Sequence, residues 1–162
     1  MMELELKSGY DEKKDISILF TEYTTMLVNE NPNFAKSLKA QNYDSELDNL
    51  RAKYGPPDGR LYIAYANGKA AGCAACHRFD NRRCELKRLY VSPQYRGHHL
   101  ASILIDKILE EAKKIGYKSI LLDTLPFLKE AIFLYKNKYK FREIPKYYDT
   151  PIKETIFMEK IL

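Results

Sequence analysis

The chain has 162 residues and a mass of 19.0 kDa, is 45% apolar and 30% charged, and carries a net charge of +5. That is the composition of one ordinary globular domain, residues 1–162, with enough chain for a sizeable core. No apolar run approaches the roughly 18 residues of a membrane span, and the mild, dispersed positive charge argues against nucleic acid while suiting a small anionic ligand.

Met-Met-Glu-Leu-Glu-Leu-Lys at the start lacks the pattern of an export signal. Three cysteines, an odd number, point to reduced thiols. The expected compartment is the cytoplasm, with no membrane partner. Glu3 to Lys7 alternates charge with Leu4 and Leu6, the pattern of a short strand. From Asp11 to Glu30 the positions Ile16, Leu19, Phe20, Tyr23 and Leu27 fall on one helical stripe, with Asp11 or Asp15 as candidate caps and Asn31-Pro32 as the stop. Asn33 to Tyr54 is a second helical stretch, expected to break near Gln41-Asn42 and to restart behind Ser45 as a cap. Gly55-Pro-Pro-Asp-Gly59 is a loop by composition.

Arg60 to Ala66 and Lys69 to Phe79 flank Asn67-Gly68, the strongest hairpin signal in the chain, and Asp80-Asn81 turns the chain again into Arg83 to Val91. A tight turn at Ser92-Pro93 and a basic loop follow. Leu100, Ile103, Leu104, Ile108, Ala112 and Ile115 then repeat at helical spacing until Gly116, a helix about 24 Å long. Lys118 to Thr124 reads as a strand parallel to Arg83–Val91 across that helix. Phe127 to Lys138 reads as a further helix and Phe141 to Glu143 as a strand. Tyr147-Tyr148 sits in a Pro-punctuated segment, and Glu154 to Leu162 is the last strand. The order β-α-α-β-β-β-α-β-α-β-β is α/β, with a mixed central sheet and helices on both faces.

A strand that delivers a basic loop onto a helix N-terminus builds an anion site. The first N–H groups lack intrahelical partners, and the macrodipole adds roughly half a positive charge there. Arg96 stands at the mouth, so the expected guest carries phosphate. Arg96-Gly97-His98-His99-Leu100-Ala101 resembles the acyl-CoA loop of GNAT N-acetyltransferases, Q/R-x-x-G-x-G/A. Leu89-Tyr-Val-Ser-Pro93 is similar to that family's Leu-x-Val-x-Pro. The helix, the strand Ile120 to Thr124 and Ala131-Ile-Phe-Leu-Tyr135 follow in the family's order and spacing, so the resemblance covers about residues 60 to 162. Two positions depart from the pattern. His99 occupies the loop's first Gly position. Behind Tyr135, Lys-Asn-Lys-Tyr-Lys-Phe141 is one residue longer than the family's segment and has no Gly.

The resemblance implies the GNAT acyltransferase fold and transfer of an acetyl group from acetyl-CoA to a primary amine, on a small molecule or peptide, by direct attack in a ternary complex. It implies no metal, and it leaves room for a homodimer. It places Arg96, Gly97, His98, His99, Leu100, Ala101 and Ser102 on the pyrophosphate. Main-chain groups of Leu89, Tyr90 and Val91 would pair with the thioester arm like an added strand, the Val91 amide polarising the thioester carbonyl. Glu85, six residues before Val91, stands where some members carry the general base. One is needed, because an alkylammonium is neutral only on the order of once in a thousand molecules at neutral pH. Strict alternation would put Glu85, Lys87, Leu89 and Val91 on one face. Tyr135 matches a tyrosine that donates to the departing thiolate. The competing reading, suggested by the two departures, is a non-catalytic module that senses acyl-CoA.

Cys73-Ala-Ala-Cys76-His77 spells a haem-attachment pattern and half a zinc site, but strand residues three apart point to opposite faces, so small core residues are expected. Cys84, one strand over, is the candidate reactive thiol. Tyr147, Tyr148, Phe157 and Met158 read as core and pocket wall, and Arg82-Arg83 and Lys87-Arg88 as solvated charges. Asp44, Glu46 and Asp48 hint at a cationic acceptor. The helices and tail that should shape the acceptor site carry no motif.

Overall fold

The computed structural model describes residues 2–162. Strands β1 (Leu4–Ser8), β2 (Arg60–Ala66), β3 (Lys69–Arg78), β4 (Arg83–Val91), β5 (Ser119–Thr124), β6 (Arg142–Ile144) and β7 (Ile156–Ile161) form one sheet, ordered β1-β2-β3-β4-β5-β7-β6. Helices α1 (Lys13–Glu30), α2 (Phe34–Ala40), α3 (Tyr43–Asp48) and α4 (Leu50–Tyr54) precede β2. Helix α5 (Leu100–Ile115) joins β4 to β5, and α6 (Lys129–Phe133) runs into a π-helical turn at Leu134–Lys138. Asn67 and Gly68 both take positive φ (50° and 79°), as the tight hairpin between β2 and β3 requires. Strand β5 is parallel to β4, and every other pairing is antiparallel.

The sheet is buried on both faces. On one, Leu104, Ile105, Ile108 and Ala112 of α5 pack on Ala64, Ala74, Cys76, Cys84, Leu86, Ile120 and Leu122. On the other, Ile16, Leu19 and Phe20 of α1 and Tyr54 of α4 pack on Leu61, Ile63, Cys73, Ala75 and Tyr90. Each such aliphatic side chain contributes about 1.5–3 kcal/mol on burial. The small residues of β3, Ala70 to Cys76, let α1 and α5 approach the sheet from opposite sides.

The second helical stretch is three short helices rather than the two expected. It breaks at Asn42, which is left-handed (φ 59°). Ser45 lies inside α3, and the side chain that caps is Asn49, whose Oδ1 accepts the Ala52 N–H (3.2 Å) at the start of α4. Helix α1 begins behind Glu12 with no side-chain cap, so neither Asp11 nor Asp15 serves as one. Strand and helix ends elsewhere fall within two residues of the expected ones.

Two irregularities of β4 shape everything that follows. Cys73 pairs with Tyr90 and Ala75 with Lys87, so one extra residue of β4 is accommodated opposite Ala74, with Arg88 at φ 59°. This bulge breaks the alternation. Glu85, Lys87 and Tyr90 face α1, whereas Leu86, Leu89 and Val91 face α5. The single face expected for Glu85, Lys87, Leu89 and Val91 is therefore split. Lys87 and Arg88, expected in solvent, are both buried. The second irregularity is a splay. Strands β4 and β5 pair only at Arg83↔Ser119, Cys84↔Ile120 and Glu85↔Leu121, and then part.

Candidate active site

Where β4 and β5 part, a cleft passes through the sheet. Leu86, Leu89, Leu122 and Tyr135 line its α5 side, and Tyr23, Leu27, Phe34, Gln41, Lys87, Arg88 and Asp123 line its α1 side. At the end of β4 the Ser92 N–H donates to Ala71 O (2.9 Å). Antiparallel ladders alternate bonded and non-bonded pairs, so the next pair, Val91 with Gly72, is non-bonded. The Val91 N–H and C=O therefore turn away from β3, toward the gap that β5 has left. Its carbonyl accepts from Arg96 Nε (3.0 Å), which holds that guanidinium against the strand end. The Nη groups of Arg96 make no hydrogen bond with any described residue.

The basic loop winds from Arg96 into α5 through two left-handed residues, Gly97 (φ 85°) and His99 (φ 63°). This leaves the first N–H groups of α5, at Leu100, Ala101 and Ser102, open at the helix end. His98 and His99 are exposed, so neither side chain plugs that end. The position where the motif has Gly is one where the backbone demands positive φ; histidine is among the side chains that tolerate it. Ser102 also ties the site to the chain that follows Tyr135, its carbonyl accepting the Tyr139 hydroxyl (3.1 Å), which also donates to Asp106 Oδ1 (2.7 Å).

Tyr135 is buried on the cleft wall, and its hydroxyl bonds no described residue. Burial, with smaller contributions from Tyr23 and Asp123, pushes the hydroxyl well above the usual tyrosine range, so it stays a donor. The extra residue behind it is absorbed locally. The Tyr139 N–H reaches Leu134 O (3.2 Å), an i→i+5 bond, and Lys140 then takes φ 61° so that the Phe141 N–H can close on Tyr135 O (2.9 Å).

Glu85 lies on the last paired rung and is not part of the cleft wall. Its Oε1 meets His77 Nε2 (2.9 Å) and its Oε2 accepts the Tyr147 hydroxyl. Burial alone would raise its pKa. The Lys87 charge and the bonds from His77 and Tyr147 outweigh that and hold it at about 2. The carboxylate that does line the cleft is Asp123, which accepts the Tyr148 hydroxyl. Tyr147 and Tyr148 thus form a strap, their rings edge-on to Phe157 at 5.0 and 5.1 Å.

Arg88 turns from the bulge into a buried pair with Glu46 (Nε–Oε2 2.8 Å, Nη2–Oε1 3.0 Å), and Nη2 also reaches Gln41 (3.1 Å). Lys53 takes the same Glu46 at 2.9 Å. Glu46 is therefore consumed internally, while Asp44 and Asp48 are exposed, so this acidic stretch places no free carboxylate in the cleft. Cys73 and Cys76 do lie on opposite faces. Cys84 is buried; hydrogen bonding with Cys76 and then burial push its thiol far up, which removes it as a reactive group. No group of His, Cys, Asp and Glu among the described residues could hold a metal ion. No described helix is long and apolar enough to cross a membrane.

Of the expected site residues Leu89 and Tyr135 line the cleft; Val91 and the Arg96–Ser102 loop are not in its wall but follow Leu89 at the end of β4, and the Tyr90 side chain turns to the α1 face and donates to Glu22 (3.1 Å). Sequence reasoning missed Asp123, Lys87 and Arg88 as cleft residues. Asp123 did carry a signal: it is the lone acid in an otherwise apolar run, Ile120 to Leu125.

The model of the acetyltransferase (GNAT) family matches residues 22–141. The chain belongs to the GNAT family. It is 43% identical, over 127 residues and 77% of each chain, to an uncharacterized N-acetyltransferase of Schizosaccharomyces pombe. Its fold is similar to that of an acetyltransferase from Streptococcus agalactiae, with TM-score 0.76, 24% identity and 98% of both chains covered. It is also similar to the PaiA N-acetyltransferase of Thermoplasma acidophilum in complex with coenzyme A, with TM-score 0.71, 18% identity and 99% of both chains covered. The GNAT site's own groups fit an acyl-CoA. Open N–H groups and Arg96 offer donors to an anion, and a free strand-end amide lies beyond Leu89, which lines a cleft walled by both apolar and charged side chains.

Proposed function

We propose that the protein transfers an acetyl group from acetyl-CoA to a primary amine by direct attack within a ternary complex. The observation that carries this reading is the cleft through the sheet. Leu89, Tyr135 and the Asp123 carboxylate line it, and just beyond Leu89 along the chain come the free Val91 amide and the open N–H groups at the start of α5. Acetyl-CoA supplies the activated acetyl group. Arg96 and the N–H groups from Gly97 to Ser102 would hold its pyrophosphate, and the Leu89–Val91 main chain its thioester arm.

In the transfer a C–N bond forms and the C–S bond breaks. The Val91 N–H stabilises the charge that develops on the thioester oxygen, a term worth about 2.7–4 kcal/mol for such donors. The acceptor arrives as an ammonium and must lose a proton. Glu85 is poorly placed to take it directly: it does not line the cleft, and its oxygens are taken by His77 and Tyr147. Asp123, on the cleft wall, is the group that meets the amine, and Glu85 anchors Tyr147 over it. Tyr135 donates to the sulfur as the thiolate leaves.

The test combines calorimetry with an assay of CoA release on a panel of amines and peptides. Acetyl-CoA should bind, and Arg96→Ala should weaken it at least several-fold, by loss of a charge-assisted contact of about 1.5–3 kcal/mol. Amine-dependent CoA release completes the case. Binding without any amine-stimulated release would make the protein a sensor rather than a transferase, and an unchanged dissociation constant in Arg96→Ala would remove the proposed pyrophosphate site.

A further inference from the structure

We infer that the acceptor is an amine that also carries a carboxylate, as an amino acid does, and that Lys87, with the free edge of Arg88, recognises that carboxylate. This rests on the transfer proposed above and names the substrate class of the same cleft. Glu85 and Leu121 form the last rung of the parallel pair. Two residues further along each strand, on the same α1 face, stand Lys87 on β4 and Asp123 on β5. They are the first positions on this face at which the strands have parted, so a cation and an anion line the cleft from opposite strands. They form no salt bridge with each other, which leaves the gap to a ligand.

Lys87 is more than nine-tenths buried, yet its ammonium makes no hydrogen bond or ion pair with any described residue. The nearby Glu85 carboxylate offsets its charge without touching it, both Glu85 oxygens being taken by His77 and Tyr147, so the ammonium's own donors are left to what enters the cleft. Arg88 adds to it. Its Nε and Nη2 are taken by Glu46 and Gln41, but its Nη1 has no partner among the described residues. Among the described residues the side-chain atoms sealed from solvent without a partner are the Tyr43 and Tyr54 hydroxyls, so Lys87 Nζ and Arg88 Nη1 reach open space, and the open space beside them is the cleft. An acceptor whose amine meets Asp123 and whose carboxylate meets Lys87 satisfies both walls at once. A diamine would set its second ammonium against Lys87, and a plain amine would leave Lys87 unpaired. Tyr23, Leu27 and Phe34 line the same side, so an apolar side chain fits the remaining wall.

The experiment measures CoA release from acetyl-CoA with leucine, leucinamide, isoamylamine, the aminophosphonate analogue of leucine, and a short diamine. Leucine should exceed leucinamide and isoamylamine in kcat/KM by about tenfold or more, the value of one hydrogen bond to a charged group. Lys87→Met should raise the KM for leucine about as much and bring the leucine-to-leucinamide ratio toward one, with the acetyl-CoA dissociation constant held. Lys87→Arg should keep the preference. Amides or diamines used as well as leucine by the wild type would overturn the inference, whether or not the variants fold. So would an undiminished preference in a folded Lys87→Met protein, and a preference for the phosphonate would replace the carboxylate by a phosphate-like group. Turnover indifferent to the carboxylate sinks this inference alone. Acetyl-CoA binding with no turnover on any amine sinks the transferase reading and this inference with it.

Discussion

His99 holds a left-handed backbone at the mouth of α5, which costs a non-glycine residue about 1–2 kcal/mol. Glycine would remove that cost but loosen the unfolded chain, so the net gain from His99→Gly is under about 1 kcal/mol. That gain should appear as stability toward urea; the strain is the same with and without CoA, so calorimetry at pH 8 should find CoA binding no weaker. Weaker binding would mean that the imidazole itself grips phosphate. The proton acceptor is decided by a different measurement, the pH profile of kcat/KM on one accepted amine. Asp123→Asn should lose on the order of 10²-fold at pH 7, and the deficit should shrink toward pH 9.5, because a neutral amine needs no base. Glu85→Gln should keep the wild-type profile if that carboxylate only anchors Tyr147; a deficit at pH 7 that fades with rising pH would make Glu85 the base. Tyr135→Phe removes a donor that hydroxide cannot replace, so its deficit should persist across the range while CoA binding is kept. Full activity in that variant would dismiss the hydroxyl from the reaction.

The π-helical turn is where a length change in sequence becomes a local change in structure. One added residue between Tyr135 and Phe141 widens a single turn and leaves Tyr135 on the cleft wall. The site of the missing Gly shows up as strain: Lys140, next to Phe141, is left-handed at 61°. Lys140→Gly should therefore raise stability toward urea by up to about 1 kcal/mol, with kinetic constants unchanged, and a destabilised variant would show that Lys140 earns its place by contacts instead. Elements differ in how far their sequence discloses them. Helix α5 was legible from Leu100 to Ile115 because its stripe is regular and Gly116 ends it in a left-handed cap. Strands β2 and β4 were legible at both ends because turn residues bound them. The bulge in β4 was not, since nothing from Arg83 to Val91 marks an extra residue; side chains on its far side were consequently assigned to the wrong face. Helices α2 to α4 are too short to stand alone. Their breaks follow from what they pack against, which the residues between Asn33 and Tyr54 do not reveal.

Across the whole molecule, the short helices α2 to α4 are tied to the sheet by the packing of Leu50 and Tyr54 and by a buried pair, Glu46 of α3 with Arg88 of the β4 bulge. Burial would raise Glu46, but the Arg88 bond and charge, then Lys53, outweigh it and hold its pKa at about 2, down from 4.5. Glu85 is depressed to the same range. A carboxylate depressed on folding gives stability that is present above its unfolded pKa and lost as pH falls through the folded one. Two such groups place the loss between about pH 4.5 and pH 2, at a few kcal/mol each by the usual 1.36 kcal/mol per unit. Stability toward urea should thus be level from pH 8 to about pH 5 and then fall steeply. Glu46→Gln should be weaker at pH 7 by about 3–5 kcal/mol, because it leaves the Arg88 charge buried and unpaired. It should also lose less on acidification, since the group that titrates is gone, so the two curves should converge toward pH 2. Replacing the pair, as Glu46→Leu with Arg88→Met, removes both charges and should recover much of the loss at pH 7 while keeping the flatter acid limb. Wild-type and Glu46→Gln curves that run parallel from pH 7 to pH 2 would show that Glu46 does not titrate with folding. The link between these helices and the sheet would then rest on packing rather than on charge.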